Sequence, residues 1–223
     1  SITLSISPFL TYQKYLTDLY TDFSEVIFAH QTIKIDDSYD ISIIIPTYNG
    51  EQYLARSIDS VLNQRFNGKI QVVVIDDGST DATPEIIDRY ANSNSNVLAI
   101  RQENSRQGMA RNQGILAAGG TYITFLDSDD VLPENALSEL WTIALRHNTR
   151  IAAGIVTSCQ EGGKNQKVNQ SYYHYSKAPE VIHAELWPHV FYDPSCVGKL
   201  YKRSFLWENK LFFPQSFHED QVF

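Results

Sequence analysis

Three largely apolar runs, each ending abruptly in a cluster of turn-forming polar residues, constrain this chain more than anything else in it. They are Ile41–Ile45, Ile70–Ile75 and Tyr122–Leu126. The clusters that follow are Pro46-Thr47-Tyr48-Asn49-Gly50, Asp76-Asp77-Gly78-Ser79-Thr80 and Asp127-Ser128-Asp129-Asp130. A short apolar run without alternation reads as a strand covered on both faces. Helical spacing fills the intervals. Glu51–Gln64 carries Leu54, Ile58, Val61 and Leu62 on one face, and Thr83 caps a segment with Pro84 at its first position and Ile86, Ile87 and Tyr90 facing inward. Val97–Ile100 is a further strand, and Gly108–Ala118 a short helix leading into Tyr122. This alternation predicts an α/β fold: a mostly parallel central sheet with right-handed crossovers and helices on both faces. Ligands bind outside the carboxyl ends of such strands, so the three polar clusters should meet along one rim.

The third cluster packs three carboxylates into four residues. They repel one another, and each resists desolvation unless a cation or a donor compensates. In extended chain Asp127 and Asp129 project to the same side. Hard oxygen ligands suit Mn²⁺ or Mg²⁺, and Mg²⁺ keeps waters and completes its shell with substrate phosphates. An acid-rich turn that caps the helix begun by Pro133 and Glu134 is the other reading, and both stay open here. An EF-hand is excluded, because Leu132 stands where glycine is required and no Glu closes the loop. No Gly-x-x-x-x-Gly-Lys-Ser/Thr loop is present, and no Gly-x-Gly-x-x-Gly follows the first strand. A nucleotide gripped through a cation at its diphosphate fits better, with Asp77 accepting hydrogen bonds from base or ribose.

Composition narrows the classes further. The 223 residues suffice for one substantial domain, and 43% hydrophobic with 12% aromatic content is that of an ordinary packed protein. A net charge of −8 argues against nucleic acid as a partner. Cys159 and Cys196 are the only cysteines, which suits unpaired thiols in a reducing compartment. No apolar run reaches membrane-spanning length and no signal peptide is visible. The expected location is cytoplasmic, with peripheral association at the inner face of the cell membrane left open. The chain starts at Ser1 rather than Met and stops at Phe223 inside an expected helix start, so an excerpt truncated at its C-terminal end is expected.

Four ordered blocks carry a family resemblance: Ser42-Ile-Ile-Ile-Pro-Thr-Tyr-Asn-Gly, Val74-Ile-Asp-Asp-Gly-Ser-Thr-Asp, Gly108-Met-Ala-Arg-Asn-Gln-Gly-Ile and Phe125-Leu-Asp-Ser-Asp-Asp. In order and spacing they resemble the family 2 glycosyltransferases of the GT-A fold, over residues 41–223. The resemblance implies a single Rossmann-like GT-A domain over residues 40–223. It also implies an inverting, metal-dependent hexosyl- or N-acetylhexosaminyltransferase. Such an enzyme moves a sugar from a UDP-sugar donor to a saccharide or lipid-linked glycan acceptor, in cell-surface polysaccharide or glycan synthesis. By position, Pro46, Thr47, Tyr48 and Glu51 line the nucleotide pocket and Asp77 holds uracil or ribose. Asp127-Ser128-Asp129 is the Asp-x-Asp motif: Asp127 and Ser128 lie on the donor and Asp129 ligates Mn²⁺ or Mg²⁺. Arg111 falls where its block approaches the nucleotide, with an ion-pair or surface role equally open. Lys199-Leu-Tyr-Lys-Arg resembles a family strand whose Lys approaches the diphosphate or makes a structural ion pair. Phe217-His-Glu-Asp resembles the family's Glu-Asp motif, which makes Asp220 the catalytic base; an acid at a helix N-terminus reads the same way. A further metal-binding His follows that helix in many members and would fall beyond Phe223.

The remaining segments say less. Residues 1–39 read as an N-terminal helical extension, with an apolar stripe through Thr11–Phe28, and a linker from Ile35. The expected helix Glu134–Arg146 precedes a strand at Ile151–Ser158 and a polar loop at Gln160–Gln170. His183 and His189 read as solvated or core-edge groups, and Trp187, Tyr192 and Trp207 as packing aromatics with a sugar-stacking alternative.

Overall fold

The structure is a computed structural model that describes residues 37–158, 167–168 and 195–214. The expected N-terminal helix, Cys159, His183, Trp187, His189, Tyr192 and Asp220 lie outside the described residues, as does the loop expected at Gln160–Gln170 except for Lys167–Val168, which form a strand instead.

The chain runs β1 (Ile41–Thr47), α1 (Leu54–Leu62), β2 (Ile70–Asp76), α2 (Thr83–Ser93), β3 (Val97–Arg101), α3 (Gln107–Ala117), β4 (Tyr122–Phe125) and α4 (Ala136–His147). Then come β5 (Ile151–Ala153), β6 (Thr157–Ser158), β7 (Lys167–Val168), β8 (Lys199–Lys202) and α5 (Arg203–Glu208). Six strands form one sheet in the order β3-β2-β1-β4-β8-β5. β1 to β4 pair in parallel, while β8 runs antiparallel to both β4 and β5. The direction of winding reverses at β1, since β2 lies on one side of it and β4 on the other. That reversal opens a crevice at the carboxyl ends of β1 and β4.

Each strand divides its side chains between two cores. Ile43, Ile45, Val72 and Val74 join α1, α2 and α4 through Leu54, Ile58, Val61, Ile87, Leu137 and Leu140. Ile44, Val73, Ile75, Ile123 and Phe125 join α3, α5 and the segment after α5 through Ala110, Ile115, Leu206 and Phe213. Helices therefore cover both faces, as the unbroken apolar runs require. α3 sits unusually close to the sheet. A Cβ on Gly114 would lie 2.3 Å from Ile44 Cγ2, so only glycine permits this approach.

Several elements begin or end away from their expected limits, each for a local reason. α1 starts at Leu54 rather than Glu51, because the Glu51 N–H and carboxylate are committed to the loop before α2. α4 starts at Ala136, because Gln64 and Arg65 hold Pro133 and Glu134 outside it. The run at Ile151–Ser158 is not one strand. The Gly154 N–H donates to the Gly198 carbonyl at 2.8 Å, and Gly198 then turns away at φ 71°, ending the ladder with β8. Thr157 and Ser158 pair instead with β7. Trp207 meets Phe212 edge-on at 5.7 Å between centroids, within the packing around α5. Cys196 is buried.

Candidate active site

The β1–β2 half of the rim is stitched from main chain. The Asp77 N–H donates to the Thr47 carbonyl at 2.9 Å, joining the two strand tips. Beyond them the two loops exchange hydrogen bonds in both directions. Asn49 N–H reaches Ser79 Oγ (2.9 Å), Gly50 N–H reaches Thr83 Oγ1 (2.8 Å) and Glu51 N–H reaches Asp81 Oδ2 (3.2 Å). In return Thr80 N–H donates to Asn49 Oδ1 (2.8 Å) and Ala82 N–H to Glu51 Oε2 (3.0 Å). The unpaired N–H groups at the start of α2 are thus met by Glu51 and by Asp81, whose Oδ1 accepts from Thr83 N–H, and not by Thr83 as a cap. Partial removal from water pushes the Asp81 carboxyl up, but hydrogen bonds from Thr83 and the Glu51 N–H outweigh it and leave the group below its ordinary value. Asn49 takes up φ 51°, a conformation Asn tolerates, and Gly50 follows where a Cβ would lie 2.5 Å from Thr47 Oγ1.

Inside this stitch sit the groups a ligand would meet. Asp77 is 4% exposed, and its Oδ1 accepts from Gln102 Nε2 (2.7 Å) and Ser105 N–H (2.8 Å). Its Oδ2 has no partner among the described residues. Thr47 is 3% exposed, and its Oγ1 is buried without a hydrogen bond. Tyr48 is 53% exposed at the mouth, and Pro46 is buried in β1.

The β4–α3 half is built from side chains. After β4 the Leu126 N–H extends the ladder to the Ile44 carbonyl, and the chain then turns, with Asp130 N–H donating to the Asp127 carbonyl at 3.0 Å. α1 straps this turn from outside: Arg56 donates to the Asp129 carbonyl (3.0 Å), and the Leu132 N–H donates to Ser60 Oγ (3.0 Å). From inside, Gln107 Nε2 and an Arg111 Nη both donate to Asp127 Oδ1 at 2.9 Å. The Arg111 guanidinium is 1% exposed and lies over the Phe213 ring at 5.2 Å. Asp129 is exposed, and its carboxylate has no partner among the described residues. The Asp130 carboxyl is pushed above its ordinary value by partial removal from water, then by the charges of Asp129 and Asp127.

The rim therefore gathers Thr47, Asp77, Arg111 and Asp127, with Ser128 close by: a Cβ on Gly50 would stand 3.5 Å from Ser128 Oγ. Glu51 lies in the outer stitch, and Lys199 donates from Nζ to the Ser195 carbonyl. Sequence reasoning gave no role to Gln102, Ser105, Gln107 or Asn112. For Gln107 a signal existed: it stands four residues before Arg111, one helical turn away on the same face. The donor set fits a divalent cation of the kind that keeps its waters. Among the described residues no three His, Cys, Asp or Glu side chains gather to hold a metal unaided. One or two carboxylates with substrate phosphates suffice for Mg²⁺, and Asp129 offers an unshared one.

Residues 42–209 match the family model "Glycosyl transferase family 2". The chain belongs to that family. Among curated relatives it is 34% identical over 191 residues to the Bacillus subtilis minor teichoic acid biosynthesis protein GgaA, covering 82% of this chain and 42% of the relative. It is 30% identical over 183 residues to the putative glycosyltransferase EpsH of the same organism, covering 78% and 50%. Among solved structures, Staphylococcus aureus TarS in complex with UDP aligns with a TM-score of 0.71 at 29% identity. That alignment covers 82% of this chain and 53% of the solved chain, which holds TarS residues 1–349. The six-stranded, mostly parallel sheet is thus a GT-A, Rossmann-like one. The chain spans about half, or less, of the length of these relatives.

Proposed function

We propose that this family 2 member is the donor-binding part of a glycosyltransferase. It would take a UDP-sugar, pass the sugar to a hydroxyl acceptor with inversion, and serve the synthesis of a cell-wall or cell-surface polysaccharide. The observation that carries the reading is the meeting, at one rim, of a half-satisfied buried Asp77 and an Asp-x-Asp turn with one carboxylate in use and one unshared. The TarS complex with UDP, together with one with UDP-GlcNAc, supports uridine as the nucleoside.

In this reading Asp77 Oδ2 accepts from the uracil or ribose, and the buried Thr47 hydroxyl gains the partner it lacks. Tyr48 flanks the base at the mouth, beside Pro46 and with Glu51 holding the loop. Asp127, fixed by Arg111 and Gln107, orients its other oxygen toward the ribose, with Ser128 beside it. Asp129 would hold Mn²⁺ or Mg²⁺, which when bound supplies Lewis-acid charge to the diphosphate. Asp220, outside the described residues, takes the proton of the acceptor hydroxyl as it attacks the face of the sugar opposite the leaving nucleotide. The domain assignment of residues 1–39 and 40–223 and a cytoplasmic location belong to the same proposal. No helix among the described residues is long and apolar enough to cross a membrane.

The test is a titration with UDP and UDP-GlcNAc in Mn²⁺, in Mg²⁺ and in chelator, followed by assay of donor hydrolysis. Saturable binding that chelator weakens is expected, with Asp129→Ala losing the cation dependence. Asp220→Asn should bind UDP as the parent does while transfer disappears. Binding that ignores both chelator and Asp129→Ala would remove the metal from the proposal.

A further inference from the structure

We infer that Asn112 is a positioning residue of this donor site, acting through Phe213 to aim Arg111 at Asp127. Asn112 is 1% exposed and spends both ends of its amide on one residue 101 positions away. Its Oδ1 accepts from Phe213 N–H at 2.8 Å, and its Nδ2 donates to the Phe213 carbonyl at 2.8 Å. The side chain stands in for a neighbouring strand and fixes the plane and direction of the main chain there.

What that fixes is a ring. The Phe213 side chain lies under the Arg111 guanidinium, 5.2 Å from its centre, and edge-on to Phe125, with centroids 5.2 Å apart and planes at 89°. Phe125 ends β4, two residues before Asp127. The ring is therefore a wedge that touches both the Arg111 head and the strand that delivers Asp127. Because Gly114 seats α3 hard on Ile44, the helix cannot shift to compensate for a displaced wedge. A guanidinium held on one side by a ring and at its tip by a carboxylate is pre-organised. Loosening the wedge lets it leave Asp127 Oδ1. Arg111 thus holds the Asp-x-Asp turn, and Asn112 holds the platform under Arg111.

The effect on ligand rests on the donor-site reading; the effect on Arg111 does not, and one experiment separates them. In the 223-residue chain the Arg111 guanidinium signal is followed by nitrogen-15 NMR, assigned by its loss in Arg111→Met, and UDP is titrated in Mn²⁺. Asn112→Leu should shift or broaden the Arg111 signal and weaken UDP by about tenfold. Asn112→Leu combined with Arg111→Met should bind within about twofold of Arg111→Met alone, since the two act in series. A purely structural Asn112 would lower the melting temperature and leave both readouts unchanged, and that result overturns the inference. Should Asn112→Leu fail to fold, Phe213→Leu decides. It keeps the main-chain hydrogen bonds and removes the ring, and an unchanged Arg111 signal there is equally fatal. A parent that binds no UDP defeats the donor-site reading, while the Arg111 signal still judges the positioning.

Discussion

The two halves of the rim hold acidic residues in opposite ways. On the β1–β2 side every carboxylate the structure describes is answered by protein donors: Asp76 by Ser79 N–H, Asp77 by Gln102 and Ser105, Asp81 by Thr83 and Glu51 N–H, and Glu51 by Ala82 N–H. On the β4 side three acids crowd one turn. There, among the described residues, Asp127 alone has a buried cation and Asp129 is exposed without a partner, while Asp130 resists ionisation. Satisfied carboxylates make a rigid surface that reads a ligand by fixed acceptors. Unsatisfied, mutually repelling ones store a demand for positive charge that a cation and its ligand can meet. Protein donors meet the acids of the first half, at least through one oxygen each, while those of the second are left largely to one another and to solvent.

Substitutions at four positions bear on this contrast. Arg111→Met should have the largest effect on stability, because it leaves Asp127 without its buried partner. The cost should fall near the low end of the range for breaking such pairs, about 3 kcal/mol, since the Asp127 side chain is 31% exposed. Urea unfolding measures it, and a loss under about 0.5 kcal/mol would mean that solvent or Gln107 can replace the arginine. Asp77 offers a sharper cut. Asp77→Ala strands two donors and should cost about 1–3 kcal/mol, whereas Asp77→Asn keeps an oxygen for Gln102 and Ser105 and should cost little. Both should weaken UDP in a titration, because Oδ2 is gone in each. If Asp77→Asn bound normally, the β1–β2 half would be scaffold rather than reader.

Arg106 opens α3 at φ 76° and ψ 159°, a region occupied almost solely by glycine. Arg106→Gly should therefore stabilise the chain by about 1 kcal/mol, read as a rise in melting temperature, because relieved strain exceeds the extra chain entropy. The smallest effect belongs to Asp130. Its folded value is raised, so the folded state keeps the proton to higher pH than the unfolded one, and stability falls as pH climbs through that interval. Asp130→Asn should raise the melting temperature at pH 7, and the gain should vanish below the ordinary Asp value of about 3.9. A gain that persists in acid would trace to something other than charge crowding.

Much of this was legible in the residues. The order of apolar runs and polar clusters alone puts the strand tips at Thr47, Asp77 and Asp127 on one rim, and the four blocks resemble the family to which the chain belongs. Element limits were less legible. Glu51 has the composition of a helix start, yet its N–H and carboxylate are claimed by residues 30 and 31 positions away. The run at Ile151–Ser158 is apolar enough for one strand, but a left-handed Gly198 in the partner cut it short.

Residue order alone dictates that this chain alternates strand and helix, that its strands are covered on both faces, and that its carboxylates cluster after strands. Each of these depends on neighbours in the chain, where spacing and propensity act directly. Which carboxylates are met by protein donors and which are not is set by the folded packing. That depends on contacts such as Gln107 and Arg111 with Asp127, or Asn112 with Phe213, which bring together residues 16 to 101 positions apart. No local rule carries that information, because the partner of a buried polar group is chosen by the packing that excludes water from it.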